Sequence, residues 1–191
     1  MEMPSSQLVD PFGRPVTYLR VSVTDRCNLR CVYCMPPEGV EWQPHNSILR
    51  YEEIAAVVRV AAEHGVRQVR LTGGEPLVRK GLPDLVAMIA QIPGISDIAL
   101  TTNGYLLESA AADLARAGLT RVNVSLDTLN PQRFSRITRG GSFGKVWQGL
   151  ATVVALGLKP VKLNVVAMRG VNDDELLDLA RLPLPADWEG R

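Results

Sequence analysis

The sequence has 191 residues, 46% apolar and 21% charged, with 21 Lys and Arg against 20 Asp and Glu for a net charge of +1. That is room for one domain with its own core, and the near-neutral balance gives no footprint for nucleic acid or an anionic membrane surface. No apolar run reaches the roughly 18 residues of a membrane span, and Met1-Glu2-Met3-Pro4-Ser5-Ser6 has neither part of a secretion signal, so a soluble, cytoplasmic protein is expected.

In chain order, a β-type run over Leu19–Thr24 leads into a loop holding all three cysteines. A helical period over Tyr51–His64 stops at Gly65, and strand Gln68–Thr72 precedes helix Pro83–Ile92, stopped by Pro93-Gly94. Strand Asp97–Thr101 and helix Leu106–Ala117 follow, then strand Arg121–Asp127, a short helix Pro131–Ile137 and helix Lys145–Leu156. Strand Val161–Val166 and a segment Asp173–Leu182, with Asn172 as its N-cap, complete about five strand–helix units. Strands alternating with helices across short Gly and Pro stops predict parallel pairing with helical crossovers.

Alternate side chains of a strand face opposite ways. Leu19, Val21 and Val23 oppose Arg20, Ser22 and Thr24, and Val69 and Leu71 oppose Arg70 and Thr72. Val122, Val124 and Leu126 oppose Asn123, Ser125 and Asp127, and Val161, Leu163 and Val165 oppose Lys162 and Asn164. One polar face in strand after strand excludes a sheet covered on both sides, which reads as continuous apolar runs. It predicts an α/β fold, an incomplete parallel (β/α) barrel of partial TIM type whose lumen takes a polar ligand. An antiparallel sheet with one wet face gives the same alternation, but the intervening helices argue against it.

In such folds ligands bind at the C-terminal strand ends. The first strand runs into Cys27, Cys31 and Cys34, spaced C-x3-C-x2-C, and the second ends in Gly73-Gly74-Glu75-Pro76. Three crowded thiols read as metal ligands in a reducing compartment. Three thiolates on a cubane cluster leave one iron open, whereas structural zinc wants four ligands and would need His45 or His64 as the fourth. Gly-Gly-Glu-Pro alone is a tight strand-to-helix turn, and Asn103-Gly104 and Asp127 read as ordinary turn residues. Trp42, Trp147 and Trp188 read as packing residues.

The cysteine spacing and the Gly-Gly-Glu-Pro turn together resemble the radical S-adenosylmethionine superfamily. Leu19-Arg20-Val21-Ser22-Val23-Thr24-Asp25-Arg26, Leu100-Thr101-Thr102-Asn103-Gly104 and Asn123-Val124-Ser125-Leu126-Asp127 are similar to the GTP 3′,8-cyclase family within it, from about Gly13 to Asp187. The resemblance implies a 4Fe-4S cluster on Cys27, Cys31 and Cys34, with the open iron chelated by S-adenosyl-L-methionine. Reductive cleavage of that cofactor yields a radical that abstracts a hydrogen from the ribose of GTP, a step of molybdenum cofactor biosynthesis. By position Tyr33, Gly74 and Ser125 correspond to S-adenosylmethionine contacts, and Arg20, Arg70, Thr101 and Lys162 to GTP contacts. Arg20, Arg70 and Lys162 lie on the polar face already assigned, and three cations converging in one cavity suit a triphosphate. The resemblance further implies a reducing electron donor such as flavodoxin or ferredoxin, and it leaves a homodimer open.

Family members carry a second, three-cysteine cluster in a C-terminal segment, plus a methionine contact to S-adenosylmethionine. Neither has a counterpart in these 191 residues, and Gln68 stands where many members have Lys. The expectation for 1–191 is therefore a truncated partial barrel keeping the first site. A form that binds cluster and S-adenosylmethionine only, a radical enzyme for another substrate, and a zinc-binding module without activity are the alternatives.

Overall fold

The structure is a computed structural model and describes residues 7–182. Five strands, β1 (Tyr18–Ser22), β2 (Gln68–Thr72), β3 (Asp97–Thr102), β4 (Arg121–Ser125) and β5 (Val161–Asn164), form one sheet in the order 1-2-3-4-5, every pair parallel. A doubly wound sheet needs a reversal of strand order, and here there is none. Crossovers of one hand between strands added in one direction keep the helices on one side. The result is an incomplete (β/α) barrel with one face covered and the other a bowl.

The cover is α1 (Tyr51–Glu63), α2 (Leu82–Ala90), α3 (Leu107–Ala117), α4 (Pro131–Thr138) and α5 (Phe143–Ala155), all of which contribute side chains to the core, and α6 (Leu176–Arg181) follows the last strand. Val69, Leu71, Leu100, Val122 and Val124 are fully buried against Val58, Leu85, Ile89, Leu114, Leu150 and Val153 of the helices. This is the apolar face read from the alternation. Trp147 stacks on Phe143 at 5.5 Å and Arg30 sits 5.4 Å from the Trp42 ring, so both indoles pack as expected; Trp188 lies outside the described residues.

Two local expectations are corrected. The segment 173–182 is a 3-10 turn (Asp173–Glu175) followed by the shorter α6, and Asn172 makes no side-chain cap. The Asn172 side chain is instead buried, donating to the carbonyls of Asp127 (2.7 Å) and Val166 (2.9 Å) and accepting from the Met168 N–H (2.7 Å). Its amide meets three backbone groups of two loops, which outweighs one helix-end N–H.

At the N-terminal end of the bowl Asp97 accepts from Arg121 Nε (2.9 Å) and Thr120 Oγ1 (2.7 Å) and forms an ion pair with Arg121. Burial opposes ionisation, but these bonds outweigh it and hold the carboxyl below its ordinary value. A carboxyl depressed in the fold contributes stability above its unfolded pKa, lost as pH falls through the folded one. Asp97→Asn is therefore expected to lower the urea midpoint at neutral pH and to flatten its decline below about pH 4.

Candidate active site

Strand register places the polar residues in rows across the bowl. Arg20 pairs with Arg70, Arg70 with Ala99 and Ala99 with Arg121. One step nearer the C-terminal ends, Thr101 pairs with Asn123 and Asn123 with Lys162. Ser125, the last residue of β4, faces Asn164. All four cation and hydroxyl positions expected to face the lumen, Arg20, Arg70, Thr101 and Lys162, thus share one face. They do not converge equally: Arg20 and Lys162 stand exposed on the two edge strands, while Arg70 and Thr101 are half-buried between them. A bowl with two open edges spreads what a closed barrel would gather.

Among the described residues, three buried side-chain atoms on this face have no hydrogen-bond partner: Arg70 Nε, Thr101 Oγ1 and Asn123 Oδ1. They belong to three neighbouring strands in two adjacent rows. A buried polar group without a partner costs about 1–3 kcal/mol, and three together mark where a polar ligand or water is accommodated. Arg121 is ion-paired with Asp97, and the charge of Arg70 also favours that carboxylate; the Arg70 guanidinium rests 5.6 Å from the Tyr18 ring with its Nε unpartnered.

Above these rows lies the cysteine loop. It leaves β1 by continuing the backbone pairing, with the Val23 N–H on Thr72 O (2.9 Å). The Gly74 N–H then donates to Thr24 O (2.7 Å) and the Glu75 N–H to Arg26 O (2.8 Å). This contact explains the two glycines. A Cβ on Gly73, which has φ +150°, would stand 2.3 Å from Thr24 O, and one on Gly74 2.4 Å from Arg26 O. The far side of the loop docks on the end of α4, where Val32 and Arg30 N–H groups take the carbonyls of Ile137 (2.8 Å) and Thr138 (3.2 Å). Helix-end carbonyls without intrahelical partners are thereby satisfied. Arg139 closes the arc, donating to Arg30 O (2.9 Å) and Met35 O (2.7 Å).

The thiols themselves are free, Cys27 and Cys31 half-buried and Cys34 exposed. Burial pushes the Cys31 thiol up to about 11, and burial also raises Cys27, opposed by N–H groups of Leu29 and Asn103. Any metal must displace those protons. Among the described residues no three His, Cys, Asp or Glu side chains close on a single metal ion, His45 and His64 included. A soft, all-sulfur donor set on one loop suits an iron–sulfur cluster, whose irons sit at separate corners, better than one tetrahedral ion.

Tyr33, between Cys31 and Cys34, donates its hydroxyl to Asp127 Oδ2 (2.7 Å), and burial followed by that bond raises its pKa. The other Asp127 oxygen takes the Val166 N–H (2.8 Å). Asp127, read from sequence as a turn residue, therefore ties the cysteine loop to the end of β5. Asn103, read the same way, places its amide 3.8 Å from Cys27 Sγ. Both are polar residues at C-terminal strand ends, which was the available signal; for Arg139 the sequence offered none.

A model of the radical SAM superfamily matches residues 21–182. GTP 3′,8-cyclase of Pelotomaculum thermopropionicum is 59% identical over 175 residues, 92% of this chain and 54% of that protein. The GTP 3′,8-cyclase of Petrotoga mobilis is 52% identical over 184 residues, 96% of this chain and 57% of that one. The chain thus spans about half the length of the curated relatives it matches. Among solved structures, SuiB of Streptococcus suis superposes with a TM-score of 0.67 at 21% identity, over 85% of this chain and 36% of that one. Coproporphyrinogen III oxidase of Escherichia coli gives a TM-score of 0.56 at 12% identity, over 85% and 38%. These likenesses establish the same partial-barrel fold, and together with the family match over most of its length they place the chain: it belongs to the radical SAM superfamily.

Proposed function

We propose that the chain carries the S-adenosylmethionine and triphosphate half of a GTP 3′,8-cyclase, with 1–191 forming one partial barrel. The superfamily uses a 4Fe-4S cluster and S-adenosylmethionine, which when bound supply hydrogen-abstracting radical chemistry in a reducing compartment. Cys27, Cys31 and Cys34 hold the cluster on a loop pinned at both flanks. Gly74 already spends its N–H on Thr24, so it meets S-adenosylmethionine through its carbonyl, an acceptor suited to an ammonium group. Ser125 approaches the same molecule from the end of β4. Tyr33, immobilised by Asp127, forms the wall between cluster loop and bowl.

GTP lies deeper, where Arg70 and Thr101 supply the partnerless guanidinium nitrogen and hydroxyl, and Asn123 joins them. Arg20 and Lys162 close on the phosphates from the two edges, a fork and a point charge. The core helices exclude water from the back of the sheet. A donor such as flavodoxin or ferredoxin delivers the electron in the cytoplasm. That the relatives are GTP 3′,8-cyclases at 52–59% identity supports the choice of nucleotide.

The observation that carries the reading is the set of orphaned polar atoms, two of them on residues expected to meet GTP. GTP titrated into the anaerobically reconstituted chain is expected to bind more tightly than guanosine, with Arg70→Ala weakening it about 10–100-fold, as loss of charged hydrogen bonds at 1.5–3 kcal/mol requires. Equal affinity for GTP and guanosine, or no effect of Arg70→Ala, would contradict it.

A further inference from the structure

We infer that Asn103 sets the reduction potential of the cluster by donating its amide to Cys27; the inference rests on the cluster assignment above. Asn103 follows β3, and its own N–H is held by Glu75 Oε2 at 2.6 Å. Its Oδ1 accepts from the Tyr105 N–H at 3.0 Å, which fixes the amide orientation. Nδ2 is thereby turned to the cysteine loop, 3.8 Å from Cys27 Sγ and 2.8 Å from Asn28 Oδ1. The anchor beneath it is rigid: Glu75 is fully buried, and its other oxygen takes the Thr102 hydroxyl (2.7 Å) and the Leu77 N–H (3.0 Å).

One carboxylate therefore fixes the height of Asn103 over Cys27, while the adjoining Gly73-Gly74 turn fixes the loop that carries Cys27. Cys27 Sγ also receives the Leu29 N–H at 3.4 Å. Hydrogen bonds to a ligating sulfur draw electron density from the cluster and favour its more negative, reduced state, so each donor raises the potential. Leu29 donates from the backbone and is common to any residue there. Asn103 is a side chain from another strand, 76 residues away. It is thus a positioning and tuning residue, acting through Cys27 on the ease of reduction.

A purely structural role would be the turn that the Tyr105 N–H closes on Oδ1. Asn103→Ser keeps an acceptor for that turn and loses the reach to sulfur, and Asn103→Ala loses both. The reconstituted chain and both variants are titrated anaerobically with the reduced cluster followed by electron paramagnetic resonance, and iron is counted in each. The expected result is a lower midpoint potential in both variants at unchanged iron content. Should Asn103→Ala shed iron, Asn103→Ser carries the test. A potential equal to wild type in Asn103→Ser overturns the inference, whereas a wild-type chain that takes up no cluster overturns the cluster assignment instead.

Discussion

Cys31→Ala is expected to abolish cluster assembly while leaving the fold intact. The chain has three cysteines in all, on one loop, so removing one leaves two thiolates for a cubane that needs three from this chain. The core cluster includes none of them: it is built from aliphatic residues, chiefly of β2–β4 and the helices, with Phe134, and the loop is held by backbone bonds to Gly74, Glu75, Ile137 and Thr138. Iron analysis and visible absorption after anaerobic reconstitution should fall to background in the variant. Its far-ultraviolet circular dichroism and urea midpoint should match those of the cluster-free wild-type chain, since a bound cluster would itself raise the midpoint. A variant that keeps its iron would move the metal off this loop.

Gly74→Ala should damage both the loop and what it binds. The added Cβ would stand 2.4 Å from Arg26 O, 2.6 Å from Asp25 O and 2.7 Å from the Arg26 carbonyl carbon. All three are backbone atoms, so no side chain can swing aside. Relief requires the turn to separate from 24–26, which breaks the Gly74–Thr24 and Glu75–Arg26 bonds. Overpacking of this kind costs about 1–3 kcal/mol, and the two bonds add about 1 kcal/mol each. We expect a matching fall in urea stability and at least a tenfold loss of S-adenosylmethionine affinity, about 1.4 kcal/mol. Gly144→Ala is the control: nothing nearer than Ser142 Oγ at 3.9 Å meets a Cβ there, so it should be neutral or stabilising by about 0.4–1 kcal/mol.

The polar bowl was legible because a two-residue period, sustained in four strands, has one explanation once helices separate the strands. Val122 and Val124 against Asn123 and Ser125 is that pattern in its plainest form, and β3 adds Thr101 to the same face. Strand ends were less legible. The first run was read to Thr24 and the fourth to Asp127, but the sheet stops at Ser22 and Ser125. Beyond those points the chain keeps single backbone bonds while its side chains turn to other work, as Asp127 does toward Tyr33, 94 residues away.

Pairings at such separation leave no periodic trace. For the same reason Asn103 and Glu75 read as turn residues, although the fold brings them together beside Cys27. The spread of the cations was also invisible: periodicity reports a face, and only strand order reveals that Arg20 and Lys162 occupy its opposite edges.

The most direct measurement is electron paramagnetic resonance of the dithionite-reduced, reconstituted wild-type chain, with iron quantified, before and after addition of S-adenosylmethionine. The account predicts about four irons per chain and a reduced-cluster signal whose shape changes when S-adenosylmethionine occupies the open corner. Stoichiometric zinc in place of iron, or a cluster signal indifferent to S-adenosylmethionine, would contradict it.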